Sequence, residues 1–410
     1  LQIKAPLRDC PTLYNISLGG IAVRLTKSGF HLRSLGRQES HKIVRILKEL
    51  GIERVAPSHC TREQAIAQFQ KTWGEGFITS GCGAAIALHL TSYSNCFCIV
   101  QDMPHISTAI FQLMFIPRGF GENFITTKLG KMVYYTTQGE PWDEQTSKET
   151  LVFLHGFGGG SSAYEWSKVY PAFAAEYQVL APDLIGWGRS DRPARSYQAE
   201  DYIALVIEFM EQTCHAPTTV IASALTAAFT IRAAIKHPDL FKSLIVTTAA
   251  GLAEFGKDYR QSGFARFAQS INIPFLNHLL YGTGVANSFG IRSFLEQRQF
   301  ADSARIYPEI VEAYLQSAQQ DNAEYAALSF VRGDLCFDLS QYITELTVPT
   351  AIIWGKGSEF TRPDVGRQLA EMNPQAIRRF YYLDDVGFTP QLEQPAVTIG
   401  LIRKLLPLLE

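Results

Sequence analysis

Three short runs carry residue types that could do chemistry on an acyl group. The first, Leu154 to Gly160 (LHGFGGG), has glycines that let backbone N–H groups come close to a developing oxyanion, with one imidazole, His155, beside them. The second, Val220 to Phe229 (VIASALTAAF), brings Ser223 to the junction between an apolar strand and a helix that runs through His237 and stops at Pro238. The third, Phe380 to Pro395 (FYYLDDVGFTPQLEQP), supplies Asp384 and Asp385. A hydroxyl, an imidazole and a carboxylate are the ingredients of nucleophilic catalysis, and Ser223, His155 and Asp385 are the candidates. The nine histidines stop at His278, so the last 132 residues hold no imidazole that could pass a proton near neutral pH.

The elements that must position these runs read as an α/β pattern from Met114 onward. Strands are expected at Met132 to Thr136, Leu151 to Leu154, Gln178 to Ala181 and Thr219 to Ile221, alternating with amphipathic helices, one of them directly after the glycine-rich turn. That alternation predicts a mostly parallel sheet with helices on both faces and reactive groups on loops at the carboxyl ends of strands. Between Leu252 and Asp338 the strand texture gives way to apolar and aromatic residues, including Phe255, Phe264, Phe267, Phe275, Phe289, Phe294 and Phe330.

The glycine-rich turn is followed by APDLIGWGRSDRP (Ala181 to Pro193), the strand–helix junction, the helical stretch, VPTAIIWGKGSEF (Val348 to Phe360) and the late VGFTPQLEQP run. In this order residues 115 to 410 resemble the α/β-hydrolase family, and the resemblance implies that fold with a helical cap at about 252 to 338. The family's G-x-S-x-G elbow falls on Ala222, Ser223, Ala224, Leu225 and Thr226. Its nucleophile position is therefore Ala224, its acid position Ser358 with Glu359 out of register, and its base position Phe388. The resemblance assigns the oxyanion-type backbone N–H groups to Phe157 and Leu225. No Asp lies between Ala222 and Thr226, which speaks against chemistry through an elbow aspartate. Asp183 and Arg189 read as an ion pair or as turn-fixing bonds. Loss of a whole nucleophile, base and acid unit costs about 10⁶ in rate.

The amino-terminal part has a resemblance of its own. SGFHL (Ser28 to Leu32), LKELGIERVAPSHCT (Leu47 to Thr61) and FITSGCGAAIAL (Phe77 to Leu88) look like the closing part of a metallo-β-lactamase-fold hydrolase over residues 1 to 90. That likeness makes His59 the last metal ligand of a set whose earlier histidines are missing, an orphan, since zinc needs three or four converging donors. Helices are expected at residues 40 to 50 and Thr61 to Trp73, with a short strand at Glu53 to Ala56 between them. Residues 91 to 113 follow neither helical nor strand period and read as a linker. Together with the opening Leu1, this points to a composite, fused or processed chain.

Composition narrows the function classes. The 410 residues carry 37 basic and 39 acidic side chains, a net charge of −2 that offers no field for nucleic acid. Hydrophobic residues at 46% and charged ones at 19% are globular proportions, and no apolar run is long enough for a transmembrane helix. The seven cysteines (10, 60, 82, 96, 98, 214 and 336) form no CxxC pair, which fits a cytoplasmic location. No cofactor and no functional metal is implied, and oligomeric state is left open. The expectation is an α/β-hydrolase-fold homologue, catalytically impaired or non-enzymatic, holding a small apolar ligand under the cap. The alternative is an esterase-like serine hydrolase using a displaced set.

Overall fold

The computed structural model describes residues 13–18, 21–28, 54–57, 67 and 70–74 of the amino-terminal part, and residues 115–142, 149–256, 258–270, 281–282, 284–358 and 361–410 of the rest. The chain divides into two compact units, Leu1–Phe111 and Gln112–Glu410. In the first, β1 (Leu13–Leu18) pairs antiparallel with β2 (Ile21–Ser28), which pairs parallel with β3 (Arg54–Pro57), at the place where Glu53 to Ala56 was read as a strand. Residues 67 and 70–73 are helical, inside the predicted Thr61 to Trp73 helix. The predicted 40–50 helix, the 91–113 linker and His59 lie outside the described residues.

The second unit is built on eight strands: β4 (Phe120–Thr127), β5 (Gly130–Thr137), β6 (Thr150–Leu154), β7 (Gln178–Pro182), β8 (Thr218–Ser223), β9 (Phe241–Thr247), β10 (Thr350–Gly355) and β11 (Ile377–Leu383). They stand in the order β11-β10-β9-β8-β6-β7-β5-β4. From β7 to β11 every pairing is parallel, while β4 and β5 form an antiparallel hairpin and β5 meets β7 antiparallel. Tight hairpin turns can only reverse a chain, so this edge departs from the strand–helix alternation.

The central strands are buried on both faces, and their side chains alternate between two apolar layers. Val152 and Leu154 of β6 join Val220, Leu244, Ile352 and Trp354 on one side. Leu151 and Phe153 join Ile221, Ile245, Ala351 and Ile353 on the other. This explains the near-continuous apolar runs, because a parallel strand covered by helices has no polar face.

Helices α1 (Ala199–Thr213) and α2 (Ala224–Lys236) cover the first layer. The Asp201 carboxylate accepts the Gln198 N–H at 2.8 Å, satisfying an orphan donor at the start of α1. Inserted between β9 and β10 are α3 (Gly263–Ser270), α4 (Ser288–Phe294), α5 (Pro308–Ala318) and α6 (Ala323–Arg332). The base of this insertion closes where Leu252 bridges Phe337 and Gly251 O accepts the Phe337 N–H at 2.8 Å. After β10 come α7 (Pro363–Met372), the single turn α8 (Pro390–Glu393) and α9 (Pro395–Leu405).

One helix expectation fails. After the glycine-rich turn the chain forms two 3-10 turns, Ala163–Trp166 and Tyr170–Phe173, in place of an α-helix. Pro171 brings no N–H of its own, so an i to i−4 ladder cannot run through the segment, while Asp183 Oδ1 takes the otherwise unpaired Ala163 N–H at its start at 2.7 Å.

Candidate functional site

The register places the ends of the parallel strands side by side. Leu154 pairs with Ala222, Ser223 with Thr247, and Gly355 with Leu383, so the loops after β6, β8, β10 and β11 emerge at one edge of the sheet. All of the sequence-predicted site residues in this unit lie on these loops or at their roots.

The chain turns from β8 into α2 at Ala224, whose φ is +58°. A β-carbon in the left-handed region costs roughly 1 kcal/mol or more, so the elbow is a strained turn occupied by a methyl-bearing residue. Ala224 is 1% exposed and offers no hydroxyl. Ser223, one residue earlier, is extended and wholly buried, and its Oγ accepts the Gln391 Nε2–H at 3.0 Å.

His155 is also wholly buried. Its Nε2 accepts the Leu184 N–H at 3.0 Å, and its Nδ1 lies 2.7 Å from the Gly156 carbonyl. An acceptor at Nε2 leaves the proton on Nδ1, which donates to that carbonyl, so both ring nitrogens are engaged in a neutral imidazole. Burial lowers the His155 pKa, opposed by Glu165 and by the Gly156 carbonyl. Asp385 stands on an exposed turn at φ +53°, where its carbonyl accepts from Arg305. Its neighbour Asp384 pairs with Lys356 at 2.6 Å. Among the described residues, no hydrogen bond joins Ser223, His155 and Asp385 to one another.

At the acid position Ser358 is 3% exposed, and its Oγ has no hydrogen-bond partner among the described residues. Glu359 lies outside the described residues. At the base position Phe388 is 5% exposed, and its N–H donates to the Gln299 carbonyl at 2.6 Å. The cap is stitched to this loop a second time by Glu393, which accepts the Gly387 N–H at 2.6 Å and the Ala301 N–H at 2.9 Å. Burial pushes the Glu393 carboxyl up to about 7, against the pull of those N–H groups and of Arg305.

The Phe157 ring is anchored among Trp187, Tyr202 and Phe229 with centroids 4.7 to 5.6 Å away, so the backbone of the glycine-rich turn is held by its side chain. Leu225 is the second residue of α2, where the first N–H groups have no intrahelical acceptor. Asp183 is a turn-fixing residue. It accepts the N–H groups of Ala163 and Arg189 and the Tyr135 hydroxyl, while the Arg189 guanidinium pairs with Glu122 instead. Burial raises the Asp183 pKa against those three donors.

Sequence reasoning missed Glu165, Gln391, Gln299 and Tyr314, all buried at this edge. Glu165 accepts the Gly156 N–H at 2.8 Å and the Tyr314 hydroxyl at 2.9 Å, and Tyr314 also lies 3.2 Å from the Gln299 amide oxygen. The available signal was a lone carboxylate between two aromatics, Tyr164 and Trp166, in a run with no other charge. The cap presses on the glycine-rich turn here: a β-carbon on Gly158 would meet the Phe294 ring at 2.8 Å, and one on Gly160 would meet the Tyr314 carbonyl oxygen at 2.1 Å. A solvent-open cleft lies to one side, between α5 and the body, lined by Phe115, Tyr135, Tyr164, Tyr170, Ala313 and Arg189 among others.

A parallel-centred sheet, a strained strand-to-helix elbow and an inserted helical cap define the α/β-hydrolase fold, and the profile of that family matches residues 149–395, so the chain belongs to it. Among its relatives are the uncharacterised hydrolase YugF of Bacillus subtilis, 23% identical over 65% of this chain and 91% of that protein, and lipase 3 of a Moraxella species, 25% identical over 64% and 77%. Of the solved structures, the epoxide hydrolase CorEH superposes with a TM-score of 0.58 at 19% identity, covering 71% of this chain and all of the other. No helix among the described residues is long and apolar enough to cross a membrane.

Proposed function

We propose that this chain is a non-hydrolytic member of its family that binds a small apolar molecule between cap and body. The observation that carries the reading is the methyl of Ala224 on the strained elbow, at the place where the family needs a nucleophilic oxygen. Phe388 and Ser358 at the base and acid positions agree with it, since neither can take the nucleophile's proton and return it to a leaving group. The aromatic lining of the open cleft between α5 and the body is where such a ligand would sit. Beneath the cap itself, Phe294 and Gln299 close on Gly158, so a ligand there would have to displace them.

The second reading, an esterase with a displaced set, draws on the lipase among its relatives and on the burial of Ser223 at the elbow. Against it stand the engagement of both His155 nitrogens, the exposure of Asp385 and the amide, not imidazole, that bonds Ser223. Turnover of short p-nitrophenyl esters by the unaltered protein and by Ser223→Ala separates the two. Activity that disappears with Ser223 supports the esterase; none in either supports the binding protein. For residues 1–90 we infer a likeness to the closing part of a metallo-β-lactamase-fold hydrolase, on the sequence run PSHCT that follows β3 and contains His59.

A further inference from the structure

Both oxygens of Glu165 accept hydrogen bonds: Oε2 from the Gly156 N–H at 2.8 Å, with the Gln391 amide at 3.5 Å, and Oε1 from the Tyr314 hydroxyl at 2.9 Å. Each oxygen faces a donor, an arrangement that a carboxylate satisfies without a proton of its own. The side chain is wholly buried, and its bonded partners are neutral. It also reaches the elbow. A β-carbon built on Gly156 would stand 3.2 Å from Ala224 Cβ, 3.3 Å from Glu165 Oε2 and 3.6 Å from Ser223 Oγ, so these three atoms surround one point.

The glycine-rich turn that would offer the Phe157 N–H to an oxyanion therefore already holds an anion one residue earlier. We propose that Glu165 is a built-in anion that disables the oxyanion end of the elbow, a second lock independent of the absent serine, acid and base. The proposal rests on the reading of the site as non-hydrolytic. An oxyanion growing between the Phe157 and Leu225 N–H groups would face a fixed carboxylate that already holds the neighbouring Gly156 N–H, and at an effective dielectric of about 20 the repulsion between two unit charges roughly 5 Å apart slows a step by about 10²-fold. Tyr314 sits on α5, so the same bond that holds the carboxylate in place fastens the cap.

The test uses the full chain carrying Ala224→Ser, Ser358→Asp and Phe388→His, with and without Glu165→Gln. The glutamine keeps the length and an acceptor for the Gly156 N–H while removing the charge. With p-nitrophenyl butyrate as the probe, adding Glu165→Gln should raise kcat by about 10²-fold with little change in KM, and Glu165→Asp, which keeps the charge, should leave kcat low. Equal kcat with and without Glu165→Gln, including none in either, overturns the proposal. A second background, which decides the matter if the triple variant misfolds, carries Ala224→Ser alone and reads the rate of modification by a fluorophosphonate, whose phosphoryl oxygen needs the same N–H groups. Glu165→Gln should accelerate it by a similar factor, and an unchanged rate again overturns the proposal. Modification of the unaltered protein would instead sink the non-hydrolytic reading, leaving the two failures distinguishable.

Discussion

The imidazole of His155 accepts the Leu184 N–H at 3.0 Å and so ties the loop after β6 to the loop after β7. Its other nitrogen is spent on the Gly156 carbonyl within its own loop, which makes this histidine a strut between two loops and leaves no lone pair for a substrate or for Ser223.

His155→Ala should therefore cost stability. The buried Leu184 N–H would lose its acceptor, at about 1 to 3 kcal/mol, and the cavity would add to that. The pH dependence has a definite sign. Because burial lowers the folded-state pKa below 6.5, the unfolded chain binds the proton more readily, and stability contributed by the neutral ring is present above pH 6.5 and lost as the pH falls below it. Urea unfolding of the unaltered protein and the variant between pH 5 and 8 checks both statements; a variant as stable as the parent would contradict them.

Ala224→Gly tests what holds the elbow in its strained conformation. Glycine takes φ +58° without penalty, which offsets its extra freedom in the unfolded chain, so the substitution should be neutral or stabilising by up to about 1 kcal/mol. A loss of 2 kcal/mol or more in chemical unfolding would mean that the Ala224 methyl makes contacts that outweigh the strain.

Glu393 predicts the opposite pH trend. Its carboxyl is pushed by burial from 4.5 to about 7, so between those values the folded protein keeps a proton that the unfolded chain has released, and stability falls as the pH rises through that window. Glu393→Gln removes the slope. The stability difference between the unaltered protein and this variant should change by up to about 3 kcal/mol from pH 4.5 to pH 8, and parallel profiles would refute the assignment.

Much of the fold was legible in the sequence because parallel strands buried on both faces leave apolar runs, as in Leu151 to Leu154 and Thr219 to Ile221, and glycine marks the turns between them. The placement of Ala224, Ser358 and Phe388 after β8, β10 and β11 was legible for the same reason, since the strands fix where those loops emerge. Glu165, Tyr314 and Gln391 were not. They come from the segment after β6, a cap helix and the turn α8, and only the folded chain brings them together. The 3-10 turns after the glycine run had a signal in Pro171, which withholds its N–H from any longer ladder.

Gly188 gives the sharpest test of the Asp183 loop. It sits at φ +53°, and a β-carbon there would lie 2.0 Å from the Asp183 carboxyl carbon, so Gly188→Ala must expel that carboxylate from its three donors. The expected cost is about 3 kcal/mol or more, read by thermal unfolding, from the sum of strain and unsatisfied buried N–H groups. An unshifted midpoint would show that Asp183 does not hold the turn.

The most direct measurement of the central claim is the intact mass of the unaltered protein after incubation with an alkyl fluorophosphonate. A site whose elbow carries the Ala224 methyl, with Ser223 bonded to Gln391 and His155 locked between loops, predicts an unchanged mass. One phosphonyl group per chain, mapped to Ser223, would contradict the account and make this protein a serine hydrolase.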